Sequence, residues 1–222
     1  MAPGEANWSV LGLEGNPFEN VQPGERLEWV DVARPIREAL EVRPFCIELV
    51  GHKGAGKTTT LRWYAARHPD AVYFYVDGPS PEVPWGAARV LCVDEANNAS
   101  KSALRALARE AEERGVSLLL ATHHSLAHEV PWVKTFELAK YPALSWVDRR
   151  VAAVAKLGQR HFDFDAVARA LFPRVSGVNY ALLRVLYELA ENLARGVDAH
   201  AALEDALKRA AEDPTLPLPH RG

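Results

Sequence analysis

The chain has 222 residues, 48% of them hydrophobic and 25% charged, with a formal net charge of −3. This size and balance fit one sizeable α/β core plus a small appendage, or two small domains, and they exclude a surface that attracts nucleic acid everywhere. No stretch approaches the ~18 consecutive apolar residues of a membrane span, so no membrane insertion is expected. Met1-Ala2-Pro3-Gly4-Glu5 lacks the basic and apolar regions of a signal peptide. The two cysteines, Cys46 and Cys92, stand in apolar runs and read as buried thiols of a reducing compartment. A cytoplasmic location is expected, which makes the Asn7-Trp8-Ser9 and Asn98-Ala99-Ser100 glycosylation sequons chance matches.

Residues 1–30 are rich in Gly, Pro and Asn, with Trp8, Leu11, Leu13, Phe18 and Trp29 interleaved. They predict an irregular segment that packs on the core. Residues 31–140 alternate strand and helix patterns. Asp31 to Leu40 predicts a short helix with Pro35 in its first turn. A strand follows at 45–50, then a glycine-rich loop and a helix over 51–68 that stops at Pro69.

The loop reads Gly51-His52-Lys53-Gly54-Ala55-Gly56-Lys57-Thr58, a complete G-x-x-x-x-G-K-[ST] phosphate-binding loop between a strand and a helix. Gly51, Gly54 and Gly56 let the backbone turn so that successive N–H groups point at a polyphosphate. The N-terminus of the following helix, where Thr59 continues from Thr58, faces the same anion. Lys57 reaches the β- and γ-phosphates as a point charge, and the Thr58 hydroxyl ligates Mg²⁺.

Val72 to Val76 predicts a second strand, Gly78 to Pro84 a proline-rich loop, and Arg89 to Val93 a third strand, apolar throughout. That strand runs into Asp94-Glu95, about 35 residues beyond the loop, where Asp94 is placed to hold Mg²⁺ and Glu95 to orient and deprotonate an attacking water. Ser100 to Arg114 predicts a helix ended by Gly115, and Val116 to Ala121 a fourth strand. After it stand Thr122 and His123, both candidates for sensing a γ-phosphate, because neighbouring strand side chains point opposite ways. His123, His124 and His128 lack the cysteine or carboxylate partners of a zinc site. A fifth strand is expected at 133–138.

From about Tyr141 the pattern is helical only. Residues 141–212 predict four helices. The first is opened by a Ser145/Asp148 capping box and ended at Gly158, the second follows Asp163, the third covers about 179–194, and the fourth covers about 199–211. Residues 213–222 hold three prolines and predict a mobile tail.

Four stretches give the chain a resemblance to the AAA+ ATPases, and more closely to the group of general secretion pathway protein A, transposition helper and origin-recognition ATPases. They are Leu11 to Phe18, the phosphate loop Gly51 to Thr60, Asp94-Glu95-Ala96-Asn97, and Ser176-Gly177-Val178-Asn179. The resemblance implies an α/β, three-layer P-loop NTPase core with a parallel sheet in the order 5-1-4-3-2 and a C-terminal helical lid. It implies ATP and Mg²⁺ as cofactors, and Leu13, Phe18 and Ile36 near the adenine. It also implies ATP-dependent homo-oligomerisation, completed by an arginine from a neighbouring subunit, for which Arg149, Arg150 and Arg160 are candidates.

Two positions depart from the family pattern. Only twelve residues, Gly78 to Arg89, separate the second and third strands, too few for the usual crossover helix. The lid arginine expected after Gly-x-Asn is replaced by Tyr180-Ala181, leaving Arg184 one turn on as a substitute.

The expected function is an ATPase that releases ADP and phosphate and couples nucleotide state to a protein or DNA partner. A nucleotide-dependent binding module with little hydrolysis is the alternative. A small-molecule kinase is disfavoured by Glu95, and a transporter-type ATPase by the lack of a Leu-Ser-Gly-Gly-Gln signature. Residues 149–174 carry Arg149, Arg150, Lys156, Arg160, Arg169 and Arg174 against Asp163 and Asp165, a local basic face that reads first as solvated and second as a nucleic-acid contact.

Overall fold

A strand in the middle of a parallel sheet is covered on both faces and must be apolar along its length. The computed structural model, which describes residues 6–18, 32–140, 144–157, 162–175 and 178–212, follows this rule. Side chains of β1 (Cys46–Val50), β3 (Val90–Asp94) and β4 (Ser117–Thr122) alternate between two cores. Ile47, Leu49, Val90, Cys92, Leu119 and Ala121 meet Ile36 and Leu40 of α1 (Arg34–Glu41) and Leu61 and Tyr64 of α2 (Lys57–Arg67). Leu91, Val93, Leu118 and Leu120 meet Leu104, Leu107, Ala108 and Ala111 of α3 (Lys101–Glu113) on the opposite face.

β2 (Ala71–Tyr75) and β5 (Lys134–Glu137) form the edges of a five-stranded sheet ordered β2-β3-β4-β1-β5. Every strand pairing is parallel. Read from β5, this is the expected order 5-1-4-3-2.

The shortened crossover is extended, not helical. β2 and β3 stand where the sequence places them, and the chain between them turns over α3 without a helix. Ser100 N–H donates to the Pro79 carbonyl at 2.8 Å, the Asn98 side chain donates to the Val76 carbonyl at 2.9 Å, and the Arg114 guanidinium lies 4.8 Å from the Trp85 ring centre. Ser100 also caps α3, accepting from Ala103 N–H at 3.2 Å.

Glu48 is the exception inside β1. It is fully buried, and its carboxyl group accepts four hydrogen bonds. Thr122 Oγ1 (3.0 Å) and Leu126 N–H (2.6 Å) donate to Oε1, while Ser125 Oγ (3.1 Å) and Thr135 Oγ1 (2.9 Å) donate to Oε2. One side chain thereby fixes β1, β4, β5 and the turn after β4. Burial pushes both thiols up to about 12, with Glu48 adding to the effect at Cys46.

The chain divides into two compact units, residues 24–142 and residues 1–23 with 143–222. The second unit is built on α4 (Ser145–Val154), α5 (Phe164–Leu171), α6 (Asn179–Ala194) and α7 (Ala199–Glu212). The stripe Leu182, Val185, Leu186, Leu189 and Leu193 is buried as its spacing predicts, and Ala202 and Ala206 are fully buried in the same core. Asp163 caps α5, accepting from Ala166 N–H at 2.9 Å. The N-cap of α4 is Leu144, so Ser145 is its first helical residue and not the cap expected of it.

The described residues of the N-terminal segment belong to this helical unit. Leu11, Leu13 and Phe18 join the helical core. Backbone bonds hold the segment there, from Asn7 N–H to the Ala194 carbonyl (2.7 Å), Glu14 N–H to Val154 (2.8 Å) and Lys156 N–H to Gly12 (2.8 Å). The physical reason is that Leu13 and Ala155 pair as an antiparallel bridge, which places Leu13 and Phe18 among apolar helix faces. Trp29, Asp31, Gly158, Arg160, Ser176, Gly177 and the tail from 213 lie outside the described residues.

Replacing Glu48 with alanine leaves the Thr122 hydroxyl and Leu126 N–H without their acceptor in the buried interior, while the exposed Ser125 and Thr135 turn to water. At ~1–3 kcal/mol for each buried group left unpaired, the loss of stability is expected to reach about 2 kcal/mol or more. Urea unfolding followed by fluorescence checks this, as a lowered midpoint with an unchanged slope.

Candidate functional site

In a parallel sheet all strands end at the same edge. Val50 stands beside Thr122 across β1 and β4, and Val93 stands beside Leu120 across β3 and β4. The residues just beyond these ends, 51–58, 94–97 and 122–123, therefore gather at one place.

The loop after β1 turns on glycine. Gly54 (φ 82°) and Gly56 (φ 98°) occupy the left-handed region, and Gly56 is the N-cap of α2. A Cβ added at Gly51 would come within 2.9 Å of the Ala55 Cβ. His52, Lys53 and Gly54 are exposed, Ala55 is buried, and Gly51, Gly56, Thr58 and Thr59 are half-buried. Gly51 N–H donates to the Thr122 carbonyl at 3.2 Å, which ties the loop to the end of β4.

Lys57 is only 5% exposed. Its ammonium donates to the carbonyls of Gly51 (2.6 Å) and His52 (3.1 Å). Burial holds its pKa below the ordinary lysine value, while the charges of Glu95 and Asp94 oppose that shift. The lysine and both carboxylates thus share one electrostatic neighbourhood.

Asp94 ends β3 and is buried, with both oxygens engaged. Oδ1 accepts from Glu95 N–H at 3.1 Å and Oδ2 from the Tyr73 hydroxyl at 2.7 Å. Burial, and then the bond to Asp94, raises the Tyr73 phenol above its ordinary value, so it acts as a donor. Glu95 is the one non-glycine among the described residues at positive φ, 52° with ψ 41°. Left-handed backbone at such a residue costs of order 1 kcal/mol and concentrates at functional sites. Its Oε2 lies 3.0 Å from His123 Nε2. Asn97 Oδ1 accepts from His123 N–H at 3.2 Å, which fixes the histidine that meets Glu95.

Of the two candidate phosphate sensors, only His123 lies beside Glu95. Thr122 is fully buried and its hydroxyl donates to Glu48, because successive side chains of β4 alternate in direction and that of Thr122 points inward. Leu13 and Phe18, expected near an adenine, are each 0% exposed. The Phe18 ring meets Phe164 edge-on at 5.1 Å, so these two side chains have no free surface and act as core. Ile36 is buried in the core beneath α1. In the helical unit, Arg184 and Arg149 are exposed on α6 and α4. Arg150 donates to the Pro17 carbonyl at 3.5 Å and lies 6.0 Å from the Trp146 ring centre.

The sequence reading missed Tyr73 and Glu48. A lone carboxylate inside the apolar run Cys46 to Val50 is the signal that could have found Glu48. Nothing in the sequence separates Tyr73 from an ordinary core aromatic.

The donors present suit the expected cofactors. Thr58 and Asp94 offer hard oxygen atoms of the kind Mg²⁺ takes, and the loop turns at Gly54 and Gly56 through the left-handed backbone of an anion-binding turn. Among the described residues no group of three His, Cys, Asp or Glu is placed to hold a metal by itself, and no helix is long and apolar enough to cross a membrane.

The strand order and the loop between β1 and α2 decide the architecture. The sheet unit has a P-loop NTPase-like fold. No family model and no curated protein matches the chain. Among solved structures it is similar to two variants of RuvB from Thermotoga maritima. One is 12% identical over 84% of this chain and 71% of that one, with a TM-score of 0.47. The other is 13% identical over 90% and 73%, with a TM-score of 0.44. It is similar as well to protein NMB1076 from Neisseria meningitidis, 17% identical over 54% of this chain and 86% of that one, with a TM-score of 0.39.

Phe18→Ala distinguishes a core residue from a base-contacting one. Removing a buried ring costs ~3–5 kcal/mol, so thermal unfolding is expected to show a large loss of stability. At a temperature where the variant is folded, its affinity for a fluorescent ATP analogue is expected to stay within about twofold of the unmodified chain, since only core packing is lost.

Proposed function

We propose that the chain binds ATP with Mg²⁺ and hydrolyses it to ADP and phosphate, as a slow or partner-stimulated ATPase of AAA+ type. The observation that carries this reading is that the loop with the buried Lys57 and the strand end with Asp94 and Glu95 lie at one edge of the parallel sheet.

Each residue then has a distinct task. The N–H groups of 51–58 and the start of α2 bind the phosphates, and Lys57 turns from the Gly51 and His52 carbonyls to the β- and γ-oxygens. Thr58 and Asp94 would hold Mg²⁺. Bound Mg²⁺ would neutralise charge that develops on the phosphate oxygens. Glu95 orients the attacking water and takes its proton. His123, fixed by Asn97, holds the Glu95 carboxylate until a γ-phosphate offers the histidine another partner.

In this reading residues 141–212 serve as the lid, and hydrolysis is coupled to assembly or to a protein or DNA partner. Arg149 and Arg150 are candidates to act on a neighbouring subunit, as is Arg160, outside the described residues. A trans-acting arginine is worth ~10³-fold or more in rate. The basic face of residues 149–174 is the candidate contact for nucleic acid.

Two variants test the division of labour. Lys57→Ala is expected to abolish binding of ATP. Glu95→Gln keeps the shape of the side chain but loses the base, so it is expected to bind ATP and retain it with turnover reduced ~100-fold or more. Wild-type turnover by Glu95→Gln would remove Glu95 from the chemistry.

Assembly has its own readout. Specific activity is expected to rise with protein concentration, and sedimentation in ATP is expected to show a mass above the monomer. Flat activity together with a monomeric mass would leave the site acting alone, and activity measured with and without DNA at two salt concentrations separates the two kinds of partner.

A further inference from the structure

Asp94 meets Tyr73 because of strand register. Tyr73 on β2 stands opposite Cys92 on β3, so Asp94 is its diagonal neighbour two residues on, within reach of a long aromatic side chain. The hydroxyl donates to Asp94 Oδ2 at 2.7 Å. The ring of the same tyrosine lies under the Arg62 guanidinium, 5.2 Å from its centre. Arg62 is four residues after Thr58 on α2, on the same helix face. Tyr73 therefore touches the strand that ends in one candidate Mg²⁺ ligand and the helix that begins with the other.

We propose that Tyr73 is a positioning residue for Mg²⁺: its hydroxyl fixes the plane of the Asp94 carboxylate, and its ring, held by Arg62, sets β3 against α2. The inference rests on the nucleotide reading above. An Asp side chain turns freely about its last torsion unless its oxygens are held. Glu95 N–H holds Oδ1 and Tyr73 holds Oδ2, so the carboxylate keeps one orientation before the metal arrives. Neither bond exhausts the lone pairs of its oxygen, and the metal's water still finds acceptors there. Hydrogen bonds behind a ligand commonly change metal affinity ~10- to 100-fold when they are removed.

Tyr73→Phe deletes one oxygen and keeps the ring under Arg62. Tyr75→Phe, on the same strand with an exposed side chain, is the control. Binding of a fluorescent ATP analogue is measured in EDTA and then across a Mg²⁺ titration, for the unmodified chain and both variants. The expected result is a Mg²⁺ midpoint raised ~10-fold in Tyr73→Phe alone, with unchanged affinity in EDTA and recovery at high Mg²⁺. An unchanged midpoint overturns the proposal, as does an equal loss of affinity with and without Mg²⁺, which marks a merely structural residue. An unmodified chain that binds no nucleotide in either condition overturns the nucleotide reading itself, and this inference with it.

Discussion

A lysine that is 5% exposed has lost most of its water, and the structure must replace that solvation from fixed groups. Two backbone carbonyls and the field of two carboxylates do so at Lys57. Those groups come from two separate chain segments, residues 51–52 after β1 and 94–95 at the end of β3, and the parallel sheet that sets β1 beside β4 and β4 beside β3 brings them to one edge. The order of the strands is therefore not a background to the site. It is the condition under which an ammonium is buried there with its solvation replaced.

The pleat of the strands divides the remaining polar groups into two sets. Thr122 and Glu48 turn inward and join the interior network that binds β1, β4 and β5. His123, one residue on, meets Glu95, and Tyr73 reaches Asp94 across the register of β2 and β3. A single-residue shift would exchange these sets, placing a threonine where the histidine stands. The network around Glu48 opposes such a shift, because its buried donors, the Thr122 hydroxyl and Leu126 N–H, have no water to turn to.

Much of this was legible beforehand for a physical reason. Gly51 to Thr58 constrains backbone and chemistry at once, so its eight residues announce both a turn and a ligand class. The apolar runs at β3 and β4 announce strands covered on both faces, and the stripe from Leu182 to Leu193 announces a helix with one buried side. Register is what the linear pattern does not carry. Without it Tyr73 is an aromatic like its neighbour Phe74, and Thr122 and His123 are equal candidates. Leu13 and Phe18 carry a similar ambiguity. Their apolar character asks for burial, but does not say which of two cores supplies it, and the backbone bonds to Val154 and Ala194 do.

We propose that Lys57 is a phosphate ligand held in reserve by the Gly51 and His52 carbonyls. A structure of the chain crystallised with Mg²⁺ and a non-hydrolysable ATP analogue tests it most directly. The expected result is a polyphosphate along the N–H groups of residues 51–58, with Lys57 Nζ moved from those carbonyls to phosphate oxygens and Asp94 still bonded to Tyr73. Lys57 remaining on Gly51 and His52, with the analogue absent from the loop or bound elsewhere, would contradict it.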